Sequence, residues 1–416
     1  MKNSFITIWI GQSLSLLGSG VTNFALGIWV YQTTGSVFDF ALIMLLITAS
    51  GILVLPLSGY FIDKWSKKIT LICCDAFQAL ILVGLLFLLT TKNLELYVVY
   101  FLVILRALLS KVQSITFNTL PRLITSQLSQ LKWYASLTQI SASIRLFSPV
   151  FAGVVLQYGI KWILAFDIIT FFVAVLTVLI SDFARNDLIQ PKHDSSWELK
   201  EVSQGIKYLN THVELKRTSI WLSFITFAVA STTVLFTPLI LTISNEKALG
   251  FLLGAGGVGT VLGALTASKF GAKLLPSRSI MYCGVFICGV AINPSLLWLA
   301  VCIFGCFFSS SFALVKLKAY WYKEVPVMLQ GRIFAIRDAL IAVALPLGYL
   351  FSPWILSLVL EPWLTANDQI VGFLMLFTGY EEKQGFLIIF LTMGLSIILS
   401  TFLFHYTGER NGNRCI

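Results

Sequence analysis

The chain has 416 residues, 57% of them hydrophobic and only 12% charged, about half the roughly 25% charged share of an ordinary soluble domain. Apolar runs of about 20 residues recur along it, each long enough to cross a bilayer core, which excludes a purely soluble enzyme or binding module. A net charge of +10 could serve a nucleic-acid partner, but in a polytopic membrane protein it arises first from basic residues retained on the cytoplasmic side, so no nucleic-acid partner is expected.

Hydropathy places twelve spans. The first, about 5–31, is too long for a signal-peptide core and lacks a small-residue cleavage pattern, so it is expected to stay in the protein. It holds no acid, only the polar residues Gln12, Ser13, Ser15 and Asn23. The second, 38–62, runs into the charge cluster "GYFIDKWSKK" with Gly59, Asp63, Lys64, Lys67 and Lys68. The third (69–90) carries Asp75, the fourth (94–117) Arg106, the fifth (134–157) Arg145 and the sixth (161–181) Asp167. The longest polar stretch follows, 182–217. Within it "SSWELKEVSQGIKYL" has Trp197, Val202, Ile206 and Leu209 at near-helical spacing, with Ser195 and Glu198 as a capping box. It reads either as an amphipathic helix on the cytoplasmic membrane face or as a solvated linker.

Six more spans run about 218–243, 248–268, 279–293, 296–320, 331–360 and 384–406. "GAGGVG", Gly254 to Gly259, formally contains a dinucleotide-binding glycine pattern, but no strand precedes it. Gly259 and Gly263 read instead as a small-residue face for helix packing. Between the last two spans "IVGFLMLF" is too short to cross and is expected to lie at the interface or re-enter the membrane, with Glu361, Asp368, Glu381 and Glu382 as an acidic rim. Six of the seven cysteines sit inside apolar runs without metal-type spacing and read as small hydrophobes. No nucleotide-binding loop, nucleophile–base pair, metal site or cofactor site is expected.

This count alternates the loops so that 23 of the 29 Lys and Arg fall on one side, four on the other and two, Arg106 and Arg145, inside spans. The rule that basic loops stay inside then puts both termini in the cytoplasm of a plasma-membrane protein. The expected organisation is a six-helix bundle (1–181), a cytoplasmic linker (182–217) and a second six-helix bundle (218–416). Two six-helix halves are a common transporter plan, with the substrate site between them at mid-membrane.

The cluster at 59–68 lies in the cytoplasmic turn between spans two and three. Topology alone accounts for its lysines but not for Gly59 and Asp63. A terminal glycine lets another helix approach closely, and a carboxylate beyond it can dock on a helix N-terminus. The start of the eleventh span near Gln330 and Gly331 offers one, so Asp63 is expected to hold a cytoplasmic gate.

At these residues the sequence resembles the major facilitator superfamily. "G-x-x-x-D-K-x-x-K-K" from Gly59 to Lys68 is similar to that family's loop motif in the same loop, with Ser66 where a second glycine is usual. "LVILRALLS" places Arg106 at the family's fourth-helix arginine, without the usual Gln-Gly after it. "SPVFAG" resembles its fifth-helix antiporter motif, keeping Pro149 and Gly153 but with Ser148 and Ala152 in place of glycines. The stretches "WIGQSLSLLGSGVTNFALGIWVYQTTGS", "EVSQGIKYL", "LQGRIFAI", "LPLGYL" and "EPWLTANDQIVGFLMLFTGYEEKQGFLIIF" resemble the macrolide-efflux-like branch of drug:proton antiporters. The resemblance implies an all-α, twelve-helix fold in two pseudo-symmetric bundles. It also implies proton-coupled export of an amphiphilic small molecule, such as a macrolide-like drug or a siderophore. A related branch implies a lysophospholipid transporter instead, and a non-transporting receptor or assembly protein is the reading of another class.

Ionisable residues within spans are costly and therefore functional candidates. Arg106 and Arg145 fall near the midplane, Asp75 in the cytoplasmic third and Asp167 in the extracellular third. An Asp75–Lys111 or Asp75–Arg106 pair is expected, either functional or fixing helix packing. Proton coupling needs a buried carboxylate that changes protonation, and Asp75 and Asp167 are the candidates. Two central arginines also admit an organic-anion cargo. Gln12, Asn23, Asp75, Arg106, Arg145 and Asp167 are thus expected to line the cavity or the proton path.

Overall fold

The computed structural model describes residues 2–64, 66–91, 94–124, 144, 147–181, 207–270, 275–367 and 384–410, and their regular structure is helical throughout. The chain forms two compact units, Met1–Ser196 and Trp197–Ile416. In the first lie α1 (Lys2–Thr34), α2 (Val37–Lys64), α3 (Lys67–Thr91), α4 (Leu96–Ile124), α5 (Phe147–Leu156) and α6 (Ile160–Ile180). The second holds α7 (Val213–Ile243), α8 (Glu246–Phe270), α9 (Pro276–Val290), α10 (Leu296–Glu324), α11 (Val327–Ile355) and α12 (Gln384–Arg410). Ten of the described helices are long and apolar enough to cross a membrane. The other two, α5 and α9, are shorter and complete the expected twelve.

Their stripes explain how these helices pack. On α3 the buried positions Lys67, Thr70, Leu71, Cys74, Asp75, Gln78, Leu82 and Leu85 recur every three or four residues, while Ile69, Phe77, Leu80, Val83 and Phe87 on its other faces are exposed. Large apolar side chains facing outward and polar ones facing inward invert the soluble pattern, as lipid requires. On α6 the buried stripe is Ile160, Ile163, Leu164, Asp167, Thr170, Phe171, Ala174 and Val178.

In the first unit α1 packs on α6 and α2, α3 on α6 and α4, and α2 on α4. The second unit repeats this scheme: α7 packs on α12 and α8, α9 on α12 and α10, and α8 on α10. The α7–α11 pairing likewise has its counterpart where Gly20 of α1 meets Ser148 of α5. The same connectivity occurs twice, the signature of an internal repeat. Gly259 and Gly263 do form a packing face, since a Cβ at either would collide with the α10 backbone at Phe304 or Phe308.

Several expected boundaries move. The helix α2 continues through Asp63 to Lys64 and α3 begins at Lys67, so the charge cluster occupies helix ends rather than an open turn. The seventh helix starts at Val213 instead of 218. The charge of Arg217 argued for linker there, but its guanidinium is answered within the unit, donating to the Phe404 carbonyl and stacking 4.3 Å from the Phe404 ring. The ninth helix starts at Pro276 rather than 279, because Pro at the first turn has its φ already set and needs no intrahelical N–H bond. Most of the "SSWELKEVSQGIKYL" helix and the "IVGFLMLF" piece lie outside the described residues. Residues 207–211 are helical, and Leu209 is buried in a cluster with Leu215, Trp321, Val325 and Ile333.

Candidate functional site

Two buried polar layers cross the apolar interior of the first unit. Their scaffold is α1, where Gln12, Ser15, Ser19 and Thr22 are all buried at spacings of three and four, a polar stripe on an otherwise apolar helix. Opposite it, α4 places Arg106 and Gln113 seven residues apart, which is two turns and about 10 Å along one face.

The lower layer is built around Asp75, which is 0% exposed. Gln12 Nε2 donates to Asp75 Oδ2 at 2.7 Å and Gln113 Nε2 to Oδ1 at 2.5 Å, with the Ser15 hydroxyl at 3.4 Å from Oδ1. The amides also hold each other: Gln113 Nε2 lies 2.9 Å from Gln12 Oε1, and Gln78 Nε2 donates to Gln113 Oε1 at 2.7 Å and to the Cys74 carbonyl at 3.2 Å. Three helices are therefore clasped through one carboxylate, and every group bonded to that carboxylate is a neutral donor. The carboxylate is thus held by dipoles alone, with no cation among its hydrogen-bond partners in the described residues.

The upper layer is an ion pair. Arg106 Nη2 donates to Asp167 Oδ2 at 2.8 Å, with the arginine 4% and the aspartate 0% exposed. Thr170 on α6 donates to the Asp167 backbone carbonyl at 2.7 Å and lies 3.3 Å from Oδ1. Room for this layer is made by Gly18 on α1, where a Cβ would run into Asp167 Oδ1 and Thr170 Oγ1. Two turns further down α1, Gly11 receives Thr177 of α6 in the same way. The Nε and Nη1 nitrogens of Arg106 are buried and have no hydrogen-bond partner among the described residues.

The expected pairings are thus corrected. Asp75 is held by amides and not by Arg106 or Lys111. Arg106 turns to Asp167, and the stem of Lys111 lies 3.8 Å from where a Gly51 Cβ would sit on α2. Sequence distance hid the α4–α6 pairing, because it depends on how two non-consecutive helices are rotated. Gln78 and Gln113 were missed outright; their signal was the i,i+3 spacing from Asp75 and the i,i+7 spacing from Arg106.

Of the other candidates, Asn23 is half-buried and has no part in either layer's hydrogen bonds. Ser148 is buried on α5 against Gly20, with Pro149 half-buried and Gly153 buried on the same helix. Arg145 lies outside the described residues, and so do the side chains of Asp63 and Lys64 and the surroundings of Gly59. Lys67 is buried at 2% exposure. Lys68 donates to the carbonyls of Leu179 at 3.3 Å and Ser181 at 3.0 Å, capping the C-terminus of α6 where the helix dipole favours a cation. Part of the charge cluster therefore works inside the first unit, apart from any gate.

The sequence profile of the Major Facilitator Superfamily matches residues 8–349. Macrolide efflux protein A of Streptococcus pyogenes is 23% identical over 367 residues, covering 84% of this chain and 89% of that protein. Among solved structures, the nucleoside transporter NupG superposes with a TM-score of 0.71 at 13% identity, covering 97% of this chain and 98% of its own. A bacterial homolog of the human lysosomal transporter Spinster, inward-facing and unoccupied, gives 0.67 at 12% identity, covering 96% and 94%. A bacterial homologue of the iron transporter ferroportin, also inward-facing, gives 0.66 at 13% identity, covering 96% and 99%. At these identities the structures share the fold alone, whereas the profile spans most of the chain: the protein belongs to the Major Facilitator Superfamily and is a multi-pass membrane transporter.

Proposed function

We propose that the protein is a proton-coupled exporter of amphiphilic small molecules, macrolide-like or siderophore-like, working by alternating access in the plasma membrane with both termini cytoplasmic. The observation that carries the coupling is Asp75: a fully buried carboxylate whose hydrogen-bond partners are all neutral. Among the described residues the buried carboxylates are Asp75 and Asp167, both in the first unit. Asp167 already has a cation, so Asp75 is the group assigned the proton. Export of a macrolide-like cargo is supported by the likeness to macrolide efflux protein A over most of both chains.

A second reading, organic-anion or lysophospholipid cargo, draws on Arg106, whose Nε and Nη1 are buried without partners among the described residues. Against it, the charge of Arg106 is already neutralised by Asp167. Proteoliposomes given a pH jump and a panel of a macrolide, a siderophore, a lysolipid and an anionic peptide separate the readings. Proton-driven flux of the first two, lost by at least about tenfold in Asp75→Asn, supports proton-coupled export. Flux confined to the anionic cargos and abolished by Arg106→Gln selects the second reading, and flux of the first two that ignores both the pH jump and Asp75→Asn sinks proton coupling.

A further inference from the structure

The repeat places α9 and α10 of the second unit where α3 and α4 stand in the first. The α3–α4 seam is joined by Asp75 and Gln113. Across the α9–α10 seam the sulfurs of Cys283 and Cys306 stand 3.5 Å apart, each cysteine 1% exposed. Close helix approach brings them there. Gly284, next to Cys283, lies so near α12 that a Cβ would strike the Gly394 carbonyl, and Gly305, next to Cys306, receives the ring of Phe286 from α9. Both thiols are free. No group of three or more His, Cys, Asp or Glu able to hold a metal occurs among the described residues, so metal binding does not explain the pair.

We propose that Cys283 and Cys306 form a dithiol modification site that a lipid-soluble disulfide closes to an interhelical cystine. A sulfur–sulfur bond is about 2.05 Å long, so the two atoms need approach by only about 1.5 Å. One cysteine sulfur attacks the reagent, gives up its proton and releases half the reagent as a thiol. The second cysteine sulfur then attacks the mixed disulfide, loses its proton and releases the other half. The protein loses two hydrogens and the reagent's disulfide is reduced to two thiols.

The site is tested on the full chain in proteoliposomes with dipyridyl disulfide, by non-reducing peptide mapping after denaturation in a thiol-blocking reagent. The expected product is a Cys283–Cys306 cross-linked peptide pair, reversed by dithiothreitol. It persists in Cys302→Ser, whose missing thiol lies one helical turn from Cys306. In Cys283→Ser, Cys306 keeps a single pyridyl group instead, which distinguishes cross-linking from simple thiol reactivity. Stable pyridyl groups on Cys283 or Cys306 of the unaltered protein would overturn the site. So would a cross-link from Cys306 to Cys302, or two unmodified thiols after the exposed Cys73 has reacted fully.

Discussion

Arg106 meets Asp167 through one nitrogen, in a region where neither charge reaches solvent. Buried pairs of this kind stabilise little against an apolar replacement, but removing one member strands the other. Arg106→Gln or Asp167→Asn alone is therefore expected to lose about 3–5 kcal/mol, and the double substitution much less. Thermal unfolding of the four proteins in detergent completes the cycle; additive losses would mean that the two residues are not coupled. Asp75 calls for the opposite reasoning, because its partners are dipoles. Gln113→Leu removes the 2.5 Å donor from Oδ1 and the bond to Gln12 together. It is expected to lose about 1–3 kcal/mol, the usual range for leaving a buried group unsatisfied. Gln113 touches the Asp75 carboxylate directly, so under the proposed function the pH profile of flux is expected to shift in this variant. An unchanged profile with lowered stability would give Gln113 a packing role only.

At the level of helices, α1 is the organiser. Gln12 and Ser15 of its polar stripe feed the lower layer, and Gly11 and Gly18 admit α6. Gly18→Ala is expected to lose about 1–3 kcal/mol, as other overpacking substitutions do, because the new methyl collides with Asp167 and Thr170. Gly84→Ala on α3 is the control. Nothing lies within 4 Å of the added carbon, and alanine's helix propensity should raise stability by about 0.8–1 kcal/mol. Equal thermal midpoints for the two variants would deny α1 its role. Hydropathy and charge alternation made the twelve helices and their six-plus-six division legible, because both are properties of continuous segments, whereas the pseudo-symmetry of the halves came from the family resemblance. The partner of Arg106 was not legible, nor were Gln78 and Gln113, since they depend on the relative rotation of helices separated by up to about 100 positions in the chain, where apolar periodicity is silent. Within α7, Arg217 reads as linker until the Phe404 carbonyl and ring that receive it are known.

Across the whole chain the two units share a helix-packing scheme but not their chemistry. The first buries two aspartates, an arginine and Lys67, while the buried charge described in the second is Arg337, stacked on Phe334 and Trp321 and bonded to Asp338 on α11. Under the proposed function the first unit carries the titrating group, Asp75. Its direction of work depends on orientation, for which the loop charges give one answer: the α2–α3 turn inside, the α5–α6 turn outside. Ser66→Cys marks the first turn. Tyr158→Cys marks the second, where Gly159 at φ 102° makes the reversal and Tyr158 is 73% exposed. In intact cells a membrane-impermeant maleimide should label Tyr158→Cys and leave Ser66→Cys at the level of the unaltered protein, and permeabilisation should expose Ser66→Cys. The reverse pattern would put the Asp63 cluster outside the cell, where the positive-inside asymmetry, the cytoplasmic gate and inward release of the Asp75 proton would all fail together.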